Sequence, residues 1–336
     1  MQASSQQNFR VQLWITILSI VLFIAKIIAY YLTNSLSILT DALESIVNVL
    51  AGFIGLYSLY VAAKPKDKDH PYGHGKAEFV SAAVEGSLII AAGILIIYQT
   101  IKNVIQQQPI QALDTGFILI GATAILNFAA GYFCMSIGKK NNSLALQASG
   151  KHLQIDTYST IAVIVALIII HYTQWYWVDA GVAVLVSVII LYNGYKIIRS
   201  SLAGIMDEAD IELLEQLVIV VNKNRQENWI DLHNVRVIKY GITLHVDCHL
   251  TIPWYLNIHE GHKEVDDLYN IIQSRFGDSL ELFVHTDGCL PFSCNICSKV
   301  NCAERKNAFE KTIDWTLDNL INDQKHTVEN ASINKV

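Results

Sequence analysis

The chain is short of charge. Only 16% of its 336 residues are Asp, Glu, Lys or Arg, whereas soluble globular domains run nearer about a quarter. The small net charge of -6 gives no basic face, so nothing supports a nucleic-acid partner. Also lacking are a nucleotide loop, a Walker-type motif and a paired nucleophile and base, which argues against an enzyme. The first apolar run has only Arg10 on its flank, is too long for a signal h-region, and is followed by no small-residue cleavage site. It is therefore expected to remain in the chain as a membrane segment.

What is present is apolar and clustered. Hydrophobic residues make up 52% of the chain and gather in six runs, at 11–31, 36–60, 79–101, 112–137, 144–170 and 175–197. Each is near the roughly 20 residues needed to cross a bilayer as a helix. Lys64, Lys66, Lys68 and Lys76 lie between runs two and three, Lys139, Lys140 and Lys151 near the join of runs four and five, and Lys196 and Arg199 at the end of run six. The opposite loops are nearly free of basic residues, with Lys102 the exception. The positive-inside rule then places both termini in the cytoplasm. The layout favours an inner or plasma membrane, with membrane lipid as the surrounding partner.

Polar residues break the apolar runs at informative spacings. Run two carries Asp41, Glu44 and Asn48, and run five carries His152 and Asp156. Glu44 and Asn48 are four apart, as are His152 and Asp156, so each pair shares a helix face. Ionisable groups are costly in the bilayer and usually face a bundle interior. Two such pairs meeting would offer a divalent metal four ligands. Glu85 and Asn127 read as inter-helix polar contacts, Lys26 as snorkelling or internally paired, and Asp179 as an anchor beside Trp175, Tyr176 and Trp177.

The loop 64–78, KPKDKDHPYGHGKAE, is too broken by Pro and Gly to be a regular element. Asp67, His70 and His74 within it could share a metal, with Gly73 allowing the tight turn. Imidazole and carboxylate suit zinc and related first-row ions. A polar loop of hydrogen-bonded histidines is the other reading.

Composition shifts near Ser200. Helical periodicity over 211–223, alternation over 233–239 and 243–251, a helix over 259–276 and a strand over 280–285 predict a small α+β domain. Beyond it Cys289, Cys294, Cys297 and Cys302 fall within 14 positions; Cys134 and Cys248 complete the six. Thiols in a cytoplasmic domain stay reduced. The CxxC core matches zinc spacing, although no second CxxC is present. A metal, zinc or an iron–sulfur centre, and plain reduced thiols both remain open. A last helix is expected over 303–320, then a flexible polar tail. The expected organisation is a transmembrane domain at 1–200, a cytoplasmic metal-binding domain at 207–287, and a cysteine-rich extension at 288–336.

These motifs, SLSILTDALES, DHPYGHGKAE, KHLQID and SSLAGIMDEAD, together resemble the cation diffusion facilitator family, membrane exporters of divalent transition metals. The resemblance runs from about residue 10 to 287. It implies a homodimer, six transmembrane helices per chain, a C-terminal cytoplasmic ferredoxin-like domain, and alternating access driven by proton antiport. The cargo it implies is zinc, iron(II) or manganese, with cobalt and cadmium as further candidates. Carried over by position, the transport site is Glu44, Asn48, His152 and Asp156. The loop site is Asp67, His70 and His74. The cytoplasmic-domain site is His233, His249, His285 and Asp287, with His259 contributing a bridging or neighbouring ligand. His245 and His262 fall off the matched positions and are expected at the surface. Lys76 and Asp207 match a charge link at the dimer interface. The common bacterial pattern has Asp at both run-two positions. Here Glu44 and Asn48 leave the site a formal charge of -2 rather than -3, with fewer titratable groups for proton exchange. The competing readings are a membrane-bound metal sensor and an uncoupled metal facilitator.

Overall fold

A computed structural model describes residues 2–33, 36–106, 116–173, 177–240, 243–277 and 280–330. The chain divides into two compact units, Met1–Met206 and Asp207–Val336.

The first unit is helical: α1 (Gln2–Thr33), α2 (Leu36–Ala62), α3 (Ala77–Gln106), α4 (Gly116–Lys140), α5 (Leu144–Thr173) and α6 (Trp177–Ile205). Its burial is inverted relative to a soluble bundle. Trp14, Leu95, Tyr98, Ile125 and Leu185 are exposed, whereas Ser19, Lys26, Ser45, Glu85, Asn127, His152 and Thr157 are buried. An apolar exterior around a polar interior is what a hydrocarbon solvent selects. Among the described residues, five helices are long and apolar enough to cross a membrane: Ser5–Ile28, Ser45–Ala62, Ala77–Lys102, Gly121–Lys140 and Gly181–Ile205. The remaining expected run, the fifth at 144–170, forms α5. Its first half carries Gln147, Lys151, His152, Gln154 and Asp156, and its described residues make no comparable apolar stretch. The unit is thus a multi-pass membrane region.

Close approach holds these helices together, since apolar burial drives little association inside lipid. The helices α3 and α6 meet at Gly86 and Gly194. A Cβ on either would lie 3.1 or 3.0 Å from the other's carbonyl oxygen. Helices α4 and α5 meet at Gly131 and Gly150, where a Cβ on Gly150 would lie 2.7 Å from the Met135 nitrogen and 2.9 Å from the Gly131 oxygen. That contact sets the depth and rotation of α5 two residues before His152. Polar clasps add to it. Lys26 Nζ donates to Ser45 Oγ at 2.8 Å, joining α1 to α2 by internal pairing rather than snorkelling. Ser149 Oγ donates to Glu85 at 3.2 Å, joining α5 to α3. Glu78 accepts from the Ser143 hydroxyl and from the Ala145 N–H at 3.4 Å, which places a carboxylate at the N-terminus of α5.

The second unit runs α7 (Ile211–Lys223), β1 (Asp231–Tyr240), β2 (Thr243–Ile252), α8 (Ile258–Phe276) and β3 (Leu280–Gly288). Asp210 caps α7 through the Leu213 N–H, and Asn257 with Glu260 forms a reciprocal capping box on α8. The sheet order is β1-β2-β3. The β1–β2 pair is antiparallel, and β2–β3 is parallel across the α8 crossover. One core, including Leu214, Leu217, Trp229, Leu232, Leu250, Leu268 and Ile272, lies between helices and sheet. In register, His233 pairs with His249 and His249 with His285, so three histidines form a row across the three strands. Between His233 and Arg236 the β1 ladder shifts, and Asn234 takes a left-handed φ of 52°.

Two expectations fail beyond β3. The helix expected over 303–320 is reduced to α9, Leu317–Leu320. Upstream, burial falls on Ile313 and Trp315, two apart, which suits extended chain rather than a helix face. The backbone there is also spoken for. The Glu310 and Lys311 N–H groups donate to the Asn295 carbonyl, and the Ile313 and Trp315 carbonyls accept from Arg225 and Asn222. Arg225 stacks over the Trp315 ring at 4.1 Å. The tail is not a loose appendage through residue 330 either. His326 is 2% exposed and bonds Asp231, because a buried aspartate needs donors for both oxygens.

Candidate metal sites

In the membrane unit, Asn48 on α2 meets His152 and Asp156 on α5. Asn48 Nδ2 donates to Asp156 Oδ2 at 2.6 Å, and His152 Nε2 contacts Asn48 Oδ1. His152 Nε2 lies 3.9 Å from Asp156 Oδ2. The amide therefore donates to the carboxylate and accepts from the imidazole at once, which a second carboxylate could not do. Three of the four carried-over residues are brought together. The Glu44 side chain lies outside the described residues. Buried Glu85 was read from sequence as a structural contact; one of its oxygens binds Ser149 while Oε1 has no hydrogen-bond partner.

The loop residues also converge. Asp67 Oδ1 lies 3.0 Å from His70 Nδ1, and Asp67 Oδ2 lies 3.3 Å from His74 Nε2. The two rings are 4.2 Å apart at their centroids. The turn works as its composition suggests: Gly73 has φ 92°, and its N–H donates to the His70 carbonyl at 2.9 Å. Asp67 also accepts from the Asp69 and His70 N–H groups. Desolvation pushes its carboxyl upward, but the hydrogen bonds and charge of His70, with the charge of His74, outweigh it and lower the net value.

In the second unit His233, His249 and Asp287 present ligand atoms within 4.8 Å of one another. Asp287 Oδ2 is buried without a hydrogen-bond partner, with His249 Nδ1 at 3.4 Å and His233 Nε2 at 3.8 Å. An orphaned carboxylate oxygen facing two imidazoles fits a divalent ion bound by nitrogen and oxygen. His285 flanks the group. Its ring lies 4.6 Å from that of His249, its Nε2 is 3.7 Å from Asp287 Oδ1, and it is largely exposed. His259 is exposed in the first turn of α8, and no hydrogen bond, ion pair or ring contact among the described residues links it to the group. His262 is exposed and pairs with Asp266, as expected of a surface residue. His245 is not at the surface: it is buried between Tyr240 and Glu281. Lys76 donates to the Ile205 carbonyl at 3.3 Å within the first unit, and Asp207 has a left-handed φ of 57°.

Three residues behind this group escaped the sequence reading. Asp231 Oδ2 lies 3.2 Å from His233 Nδ1, on the side away from Asp287. Its two-residue spacing from His233 on a strand puts both on one face, a signal that strand periodicity carries. His326 bonds Asp231 through Nδ1 and the Asn319 carbonyl through Nε2 at 2.9 Å. Both ring nitrogens face acceptors, so both carry protons and the pair is charged. Desolvation opposes that charge on each partner. The neighbouring His233 and His326 nevertheless hold Asp231 well below the usual carboxylate range, and Asp231 raises His326. Lys325 Nζ sits 3.1 Å from Asp287 Oδ1. Nothing in the polar sequence around Lys325 and His326 announces either contact.

Cys289, Cys294, Cys297 and Cys302 line one cavity with Trp254, Tyr255, Lys299 and Arg305. No three of their sulfurs lie within 4.8 Å of one another. All are free thiols.

Residues 13–206 match the family described as the cation efflux transmembrane domain, and residues 212–289 match the cation efflux protein cytoplasmic domain. The chain is 29% identical over 254 residues to an uncharacterized transporter of Synechocystis, covering 76% of this chain and 82% of that protein. It is 25% identical over 295 residues to the cation-efflux pump FieF of Shewanella oneidensis, covering 85% and 97%. Against the FieF of Klebsiella pneumoniae the figures are 26% over 277 residues, covering 81% and 90%.

Proposed function

The chain belongs to the cation efflux family, the cation diffusion facilitators, and from that premise we propose that it exports a divalent transition metal from the cytoplasm in exchange for protons. Metal-cation transport follows from the family; it is a transporter and not an enzyme. The observation that carries the finer reading is the junction of Asn48, His152 and Asp156 between α2 and α5. An amide, an imidazole and a carboxylate meet inside a unit whose exterior is apolar, and Glu44 stands one turn from Asn48 on α2. With metal absent, the amide clasps the other two. A cation displaces that clasp by taking His152 Nε2, Asp156 and the Asn48 carbonyl oxygen, with Glu44 supplying the second anion. Two carboxylates balance a divalent charge. Metal ligation requires neutral imidazole and ionised carboxylate, so protons compete the ion off and return with the carrier.

Mixed nitrogen and oxygen ligands suit zinc, iron(II) and manganese. The six α-helices of the first unit are the proposed six spans, with both termini in the cytoplasm of an inner or plasma membrane. The chain acts as a homodimer, a reading supported by the cytoplasmic-domain match over 212–289. In that domain a metal held by His233, His249, His285 and Asp287 draws the two copies together and biases the carrier. The loop triad of Asp67, His70 and His74 collects ions on the cytoplasmic side.

Metal-stimulated proton flux in proteoliposomes, screened over zinc, manganese, iron(II), cobalt and cadmium, tests this reading. One metal should drive flux, and Asp156→Ala should abolish it. The neutral Asn48 favours one rival, uncoupled facilitation, because it removes a titratable group. Metal uptake that needs Asp156 but moves no protons would establish the rival.

A further inference from the structure

We propose that Cys289, Cys294, Cys297 and Cys302 form a four-thiolate site for a single thiophilic metal ion of the zinc type, which ties the extension 289–330 to the sheet. This inference does not depend on the transport reading. Cys289 follows β3 directly, and its N–H donates to the Ile252 carbonyl at 2.9 Å, so one ligand is fixed to the end of the sheet. The other three sit on a segment whose only regular pieces are a five-residue 3-10 turn, Pro291–Asn295, and the four-residue α9. Stretches this poor in regular structure commonly need a covalent or metal staple.

Arg305 shapes the loop around the cavity. Its guanidinium donates to the carbonyls of Cys294, Cys297 and Lys299 at 3.0, 3.0 and 2.6 Å. Two of the four sulfurs already receive donors of the kind that support thiolate ligands. The Lys306 N–H lies 3.4 Å from Cys294 Sγ, and the Tyr255 hydroxyl 3.8 Å from Cys302 Sγ. Four thiolates on a divalent ion carry a net charge of about -2. Lys299 and Arg305 line the cavity and offset that charge, while Glu304, also on its wall, is itself paired with Lys306 at 3.9 Å.

Size selects the guest. The cavity is about 20 Å³, and about 10–15 Å³ suffices for one water-sized particle. It has room for a single ion. Zinc–sulfur bonds near 2.3 Å place tetrahedral sulfurs about 3.8 Å apart, so binding contracts the loop. The 3-10 turn and the unpaired segments after it can move without breaking a strand ladder. Four thiols release four protons to solvent as the ion binds. Sulfur ligands also set this ion apart from the cargo, because the other three candidate sites offer only nitrogen and oxygen.

The test uses the full chain, purified under reducing conditions and dialysed against a moderate chelator. Zinc should exceed that of the Cys294→Ser/Cys297→Ser double variant by one ion per chain. It should also persist in His249→Ala, which touches only the histidine group. Cobalt(II) added to metal-free wild type should give an intense thiolate-to-metal charge-transfer band that Cys302→Ser weakens. The wild-type spectrum needs no variant to fold. Equal zinc in the double variant and wild type, absence of the charge-transfer band, or disulfides among these residues in the reduced preparation would each overturn the proposal.

Discussion

Lys325 should compete with any metal ion for Asp287. Its ammonium sits 3.1 Å from Asp287 Oδ1, while Oδ2 faces His233 and His249. Any cation arriving at the histidines must either displace Lys325 or share a carboxylate already neutralised by it. The gross attraction at this distance is about 5 kcal/mol at an effective dielectric near 20. That figure overstates the effect, because Lys325 and Asp287 side chains are 23% and 18% exposed and the lysine loses rotamer freedom. A net contribution of about 1–1.5 kcal/mol is the reasonable scale for a half-buried charged contact. Lys325→Met should therefore tighten divalent metal binding at this site about five- to tenfold, and Lys325→Arg should leave it nearly unchanged. Isothermal titration of the metal-free chain, with the cysteines mutated to serine to isolate the histidine group, reads the difference. The gain should shrink as salt rises, since a partly exposed pair is screened. Unchanged or weaker binding in Lys325→Met would refute the competition.

Asn48→Asp replaces the amide that clasps Asp156 with a second anion. We expect tighter metal binding near neutrality and a steeper pH dependence, by about one proton per ion, measured by metal titration at several pH values. Gly150→Ala drives a Cβ to 2.7 Å from the Met135 nitrogen, a backbone atom with little freedom to retreat. It should cost about 1–3 kcal/mol and lower transport by displacing His152, read as thermal stability beside proteoliposome flux. Tail docking should depend on pH in the metal-free chain. His326 is raised in the folded state, so its contribution is complete below about pH 6.5 and is lost as pH climbs through the raised value. Asp231 is depressed, so its contribution is complete above about pH 4 and fails only in acid. Protease cleavage near residue 325 should accelerate on passing from mildly acidic to alkaline buffer, and His326→Gln should flatten that dependence.

Apolar run length located the helices of the membrane unit, because lipid-spanning segments have a length set by the bilayer. The four-residue spacings in α2 and α5 predicted which faces carry polar groups, and Asn48, His152 and Asp156 do meet. Alternation gave the strands to within a few residues, and the Gly73 turn followed from glycine's access to positive φ. The grouping of His233, His249, His285 and Asp287 came from the family resemblance alone, since strand register depends on pairing partners distant in sequence and spacing does not give it. Burial of His245 went unread for the same reason. The tail misled most. The helix expected over 303–320 lost to Arg225 and Asn222, which take the Ile313 and Trp315 carbonyls, and the flexible tail to Asp231, which takes His326.

The histidine row has a consequence for any metal it would hold. Its spacing is the pitch of a hydrogen-bonded sheet, about 4.8 Å between strands, and no side-chain exchange along the row alters that pitch. The sheet acts as a comb with fixed teeth. A ligand can be added one strand over or two residues along, about 6.6 Å away on the same face, but not at intermediate positions. Asp287, two residues along β3 from His285, is itself a tooth of that comb, so discrimination among ions of similar radius would have to come from the group that reaches in from off the sheet, Lys325 on Asp287.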